Sequence, residues 1–272
     1  KDDDGYRNLI KLVSIGFVDG FYYKPRVDYE LLKKYSKGLV CLSACLAGDV
    51  QQQILSGDYE NACKTALNLE EIYGKGNFYL EMQNHNIPEQ KKVNIYLRKM
   101  SKDTGIPLVV TNDVHYVDKQ DCKSHEVLLC IQTGKTLADE QKMEFLTNEF
   151  YFKSQDEMYE LFEGDEEALY NTQKIADMCN LEFDFNSYHL PNYDVPENYT
   201  PYEYLKKLCN DGLKKYDIVT DEIKQRLDFE LEVINQMGYV AYFLIVHDFI
   251  DFAKKNNIAV GPGRGSAAGS IV

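Results

Sequence analysis

The sequence predicts an α/β chain: βαβ units forming a parallel sheet or barrel, followed by a mainly helical segment. Three observations carry this reading. Strand-like and helix-like patterns alternate three times between residues 39 and 132. That rhythm fades after about residue 135, where helical patterns take over. A stretch rich in turn formers, residues 188–201, then separates a second helical run, which predicts a boundary there. With 272 residues, 44% of them apolar, the chain is long enough for one large domain or two ordinary ones.

Residues 5–18 carry Leu9, Ile10, Leu12, Val13 and Phe17 at roughly helical spacing, and residues 28–36 add a short helix that stops at Lys37-Gly38. Leu39-Val40-Cys41-Leu42 reads as a buried strand, and residues 58–73 as a helix with Ala62, Ala66, Leu69 and Ile72 on one face. Phe78-Tyr79-Leu80 is the second strand, followed by a helix from Pro88 to about Lys102 with proline near its start. Pro107-Leu108-Val109-Val110 is the third, followed by a helix over 121–132. Ser154-Gln155-Asp156-Glu157 is a capping box that opens another helix, and 165–179 form one more. Helices are expected over 201–216, 221–237 and 239–255, and Ile258-Ala259-Val260 as a short strand entering a glycine-rich loop.

Composition excludes several classes. The 21 Tyr and 13 Phe, with 27% charged residues, argue against disorder. No apolar run approaches the roughly 18 residues of a membrane span; the longest, Tyr239 to Ile250, is interrupted by His247 and Asp248. The net charge of −14 argues against a surface that binds nucleic acid all over, while leaving room for one local basic site. Seven cysteines (41, 45, 63, 122, 130, 179 and 209) on irregular spacings, with no CxxC pair, read as free thiols in a reducing cytoplasm. Lys1 and the three aspartates after it form neither an initiator methionine nor a signal peptide, and the last residues stop in an apolar stretch. Both ends are therefore expected to be cut from a longer protein.

Polar residues cluster after the expected strands: Cys45 after the first, Glu81 and His85 after the second, Asp113 and His115 after the third. In parallel sheets and barrels, sites form at the carboxyl ends of strands. Thiolate, imidazole and carboxylate groups bind zinc and similar ions. In an extended Asp-Val-His segment, residues two apart point the same way, so Asp113 and His115 could reach one ion. The bland alternatives are a small core cysteine and Asn112-Asp113 acting as turn chemistry. His125 reads as a surface or packing histidine, and His189 and His247 receive no role.

Gly261-Pro262-Gly263-Arg264-Gly265-Ser266-Ala267-Ala268-Gly269-Ser270 is the most informative stretch. Glycines let backbone N–H groups approach a bulky anion, and a following helix would add its positive dipole end. Arg264 offers a forked cation, and Ser266 a hydroxyl donor and helix cap. The loop is not a Walker A motif, because no Lys-Ser or Lys-Thr follows at the required offset. Gly263-x-Gly265-x-x-Ala268 matches the dinucleotide fingerprint, a pattern weak by itself. A tight turn with helix–strand contact is the plainer alternative, and phosphate contact is the reading adopted.

The run Asn235-Gln236-Met237-Gly238-Tyr239, then Tyr242-Phe243-Leu244-Ile245-Val246, Asp248-Phe249-Ile250 and the glycine-rich loop, closely resembles the C-family replicative polymerases, the bacterial DNA polymerase III alpha subunits of the DnaE type. Gly5 to Ser14, Leu42 to Gly48 and Thr111 to Tyr116 look like that family's PHP (polymerase and histidinol phosphatase) domain. The resemblance spans essentially the whole chain. It implies that residues 1–188 are the later part of a PHP domain, a partial distorted β/α barrel. Residues 189–272 would be a linker and the mainly helical lead-in to a palm of the polymerase-beta type.

Carried over by position, Gly263, Arg264, Gly265 and Ser266 would lie against the triphosphate of the incoming nucleotide. Cys45, His85, Asp113 and His115 would be PHP metal ligands, for Zn²⁺ or Mn²⁺ if that site is intact. The earlier PHP motifs, His-x-His and an Asp-His pair, have no match. The catalytic aspartates that hold Mg²⁺ for nucleotidyl transfer are expected beyond Val272, which implies no catalytic residue here and no polymerase activity from these residues alone. DNA primer-template and dNTP are the implied partners of the intact polymerase, with the sliding clamp and an exonuclease subunit as further ones, in the cytoplasm and without a membrane. A metal-dependent PHP phosphoesterase or proofreading activity, or a non-enzymatic scaffold for the exonuclease, are the alternative functions.

Overall fold

Three short strands anchor the first half of the chain: β1 (Cys41–Leu42), β2 (Phe78–Met82) and β3 (Leu108–Val110). A computed structural model describes residues 1–185 and 190–272, apart from 262, 264 and 266–268. The strands form one parallel sheet in the order β1-β2-β3, with Cys41 opposite Phe78 and Leu80 opposite Leu108. Parallel pairing requires long crossovers, and the helices between the strands supply them. The central strand is covered on both faces, so Phe78, Tyr79, Leu80 and Met82 are all buried.

Seven of the expected helices form in the first unit, and their ends follow local chemistry. Asp2 accepts a hydrogen bond from the Gly5 amide and caps α1 (Asp3–Val18). Asp28 and Asp58 do the same for α2 (Tyr29–Lys34) and for the longer helix Tyr59–Tyr73. Between those two lies α3 (Asp49–Leu55), which the periodicity did not signal; the longer helix is therefore α4. A seven-residue helix shows too few turns for an apolar rhythm to stand out. Pro88 opens α5 (Pro88–Thr104), and Gly105 ends it in the left-handed conformation. After α6 (Cys122–Thr133), the Ser154–Glu157 capping box forms as expected at the start of α7 (Gln155–Leu161), and α8 (Glu166–Met178) packs on β3. There, the Asn171 side-chain amide donates to the Leu108 carbonyl at 2.8 Å. The core joins Val50, Ile54, Ala62, Ala66, Val93, Leu97, Met100, Phe162 and Ala168 to the sheet.

The chain divides into two compact units, Lys1–Glu182 and Phe183–Val272. The boundary expected at 188/189 falls in residues 186–189, outside the described residues. The second unit contains α9 (Pro201–Leu213), α10 (Asp221–Gln236) and α11 (Val240–Lys255) around Leu205, Leu227, Leu231, Val240 and Leu244. Thr200 and Thr220 cap the first two of these helices. The strand expected at Ile258-Ala259-Val260 is not formed: these residues are exposed and pair with no described strand. β-propensity over three residues is not enough without a neighbour to complete the hydrogen bonds. Among the described residues no single helix is long and apolar enough to cross a membrane; α10 and α11 reach that length only as a pair bent by 114°.

Candidate functional site

The carboxyl ends of the three strands meet in a dense polar network. The Ser43 hydroxyl accepts from the Glu81 amide and from the Gln51 side chain, both at 2.8 Å. The Glu81 carboxylate accepts from the Ala44 amide at 3.1 Å, from the Gln83 side chain at 3.2 Å, and from the Thr111 hydroxyl. Asn94 donates to the Gln83 carbonyl at 2.9 Å. Amides and hydroxyls pair many of the buried polar groups here, while the buried Gln51 Oε1 and Gln83 Oε1 have no partner among the described residues. The crevice that Cys45 lines with Glu81, Gln83 and Gln90 has a volume of about 10 Å³, room for a single water at most.

His85 is fully buried, at 0% exposure, and stacks on Phe150 with ring centres 3.9 Å apart. The Gln90 side-chain amide donates to Nδ1 at 2.9 Å, which assigns the proton to Nε2, 2.7 Å from the Asn112 carbonyl. Both ring nitrogens are thus taken by the protein. Burial is the main cause that pushes its pKa down, and the neighbouring Lys153 charge adds to it. Asp113 and His115 do not lie in an extended segment. Asp113 has φ +46°, a turned rather than extended backbone, and His115 Nδ1 bonds the Asp113 carbonyl at 2.8 Å. The Asp113 carboxylate stands 3.9 Å from that nitrogen. Cys45 is exposed.

Among the described residues no three His, Cys, Asp or Glu side chains converge as a metal site. Sequence reasoning also missed a cation in this wall. The Lys153 side chain is 2% exposed; its ammonium donates to the Asn112 side chain at 3.3 Å and to the Glu149 carbonyl, over the Tyr151 ring. Burial pushes its pKa down against the pull of Glu149. Nothing in the local sequence around Lys153 distinguishes it from a surface lysine.

The glycine-rich loop lies in the second unit. Gly263 (φ +88°) and Gly265 (φ +77°) hold backbone conformations that side chains disfavour, and no described residue comes within 4 Å of where a Cβ would stand. Arg264 and Ser266 lie outside the described residues. Beyond the loop, the chain is fastened by a residue the sequence did not single out. Glu230, on α10, accepts from the Ser270 hydroxyl at 2.6 Å, the Ile271 amide at 2.9 Å and Arg226 Nε at 2.6 Å. Burial works to raise the Glu230 pKa, but these three donors outweigh it and hold the carboxyl below the usual range. The Arg226–Glu230 spacing was legible as a helical ion pair; the contact across forty residues was not.

Residues 1–85 match the family model of the PHP domain, and residues 203–272 match that of the bacterial DNA polymerase III alpha NTPase domain. A PHP-type α/β unit that leads into a polymerase NTPase unit is therefore the class. The chain belongs, as a segment, to the DNA polymerase III alpha family. It is 47% identical to the DNA polymerase III subunit alpha of Borreliella burgdorferi over 275 residues, 45% to that of Treponema pallidum over 274, and 43% to that of Aquifex aeolicus over 287. All of this chain is covered in each case, and it spans about a quarter of the length of these relatives: 24%, 23% and 24%.

Proposed function

We propose that this chain is part of a cytoplasmic replicative DNA-directed DNA polymerase and contributes the loop that holds the triphosphate of an incoming dNTP. In the intact protein a primer 3′-hydroxyl would attack the α-phosphate and pyrophosphate would leave. Gly263, Arg264, Gly265 and Ser266 would face the departing phosphates with amides, a guanidinium and a hydroxyl, a preorganised field for the charge that develops there. Mg²⁺ and the aspartates that hold it would come from outside these 272 residues.

The observation that carries this reading is the pair of left-handed glycines within the stretch that matches the polymerase NTPase model. In the full-length enzyme, Arg264→Ala and Ser266→Ala are expected to raise the KM for dNTP in primer extension by roughly tenfold each, the worth of a charge-assisted hydrogen bond. Unchanged nucleotide kinetics in both variants would overturn the assignment.

The strand-end network favours a second reading, for the first unit. With His85 engaged at both nitrogens and amides filling the crevice, this unit serves as a scaffold for the polymerase core or an exonuclease subunit rather than as a phosphoesterase. Retention of the exonuclease by the immobilised chain is the expected result, and none would refute the exonuclease role.

A further inference from the structure

After α1 the first unit carries a turn with two cations among aromatic residues. Residues 5–27 hold Arg7, Lys11, Lys24 and Arg26 against Asp19, between Asp2–Asp4 on one side and Asp28 on the other. At its tip, Phe21-Tyr22-Tyr23-Lys24-Pro25-Arg26 forms a tight turn in which the Tyr22 amide donates to the Lys24 carbonyl at 3.1 Å. Phe17, Phe21, Tyr22 and Tyr23 are all exposed, the last at 84%. Tyr22 and Tyr23 meet edge to face, with ring centres 4.6 Å apart, and the Arg26 guanidinium lies over the Tyr22 ring at 4.8 Å. Among the described residues, neither Lys24 nor Arg26 forms an ion pair.

Exposed aromatic rings beside cations that no carboxylate neutralises are what unstacked bases and their phosphates require. Stacking on such faces is worth about 1–3 kcal/mol per base and tolerates any sequence, and each neutralised phosphate adds a salt-dependent term. A purely apolar partner would not use the two cations, and a phosphate-binding site alone would not use four exposed rings. We propose that the Phe21–Arg26 turn is a contact for single-stranded nucleic acid. Tyr22 and Tyr23 stack on bases, and Lys24 and Arg26 hold the adjoining phosphates. The surface lies outside the glycine-rich loop and does not depend on the nucleotide role proposed for that loop.

The test is fluorescence anisotropy of a labelled oligo(dT) titrated with the whole chain. Saturable binding is expected. Tyr22→Leu with Tyr23→Leu keeps apolar bulk but removes the stacking faces, and is expected to weaken binding at least tenfold. Lys24→Gln with Arg26→Gln is expected to weaken it and to flatten the dependence of log K on log salt by about 1.4, or 0.7 per cation. Tyr170→Ala, an exposed aromatic elsewhere in the same unit, is expected to change nothing. Circular dichroism would establish that each variant is folded. Absence of binding, or binding that survives both double variants, would overturn the proposal. So would self-association of the chain that the Tyr→Leu pair preserves, because that would mark the surface as a protein contact.

Discussion

Glu230 shows how one carboxylate can fasten a segment forty residues away. Its three donors come from its own helix and from the segment just after the glycines. Its folded pKa is depressed, so the stability it contributes is present above the ordinary glutamate range and is lost as pH falls through and below that range. Glu230→Gln is expected to cost about 1–3 kcal/mol at neutral pH, the worth of hydrogen bonds to a buried charge. It should also flatten the fall of stability between about pH 5 and pH 3, as linkage requires. Urea midpoints measured across that range, for native and variant chains, check both statements. A parallel loss at every pH would refute the ionic role.

Among the elements, α1 is held by close backbone approach as much as by its apolar face. A Cβ at Gly5 would stand 2.0 Å from the Gly38 carbonyl oxygen. Helix propensity alone predicts that Gly5→Ala stabilises by about 1 kcal/mol. Packing predicts the opposite sign, because backbone rather than a flexible side chain must give way. A net loss of about 1–3 kcal/mol is expected, in line with overpacked cores, and would appear as a lower urea midpoint. The pair Arg98–Asp165 tests a different joint. Two guanidinium nitrogens grip the carboxylate at 2.6–3.0 Å, tying α5 to the start of α8. Arg98→Met leaves a carboxylate side chain only 10% exposed without its partner and is expected to cost about 1.5–3 kcal/mol, the range for charged hydrogen bonds. Thermal melting would check it.

For the molecule taken whole, the arrangement of the first unit bears on metal dependence. A ligand that binds only the native state raises stability in proportion to the logarithm of its saturation. With no three metal-ligating side chains converging among the described residues, Zn²⁺ or Mn²⁺ is expected to leave the melting temperature unchanged. A rise that saturates near one equivalent, and that Asp113→Ala abolishes, would reinstate the phosphoesterase reading.

The amino-acid order by itself determined the alternating α/β pattern, nearly every helix and the caps that end them, because these depend on residues within three or four positions of each other. The same holds for the glycine pattern of the loop and for the resemblance that named its family. Tertiary structure alone decided three matters. It turned His85 inward, where Gln90 and Asn112 occupy both its nitrogens. It placed Asp113 in a left-handed turn. It brought Glu230 to Ser270. A candidate ligand set is a statement about residue types at a spacing; which groups converge depends on packing between segments distant in the chain, and burial rewards whichever partner completes the hydrogen bonds first.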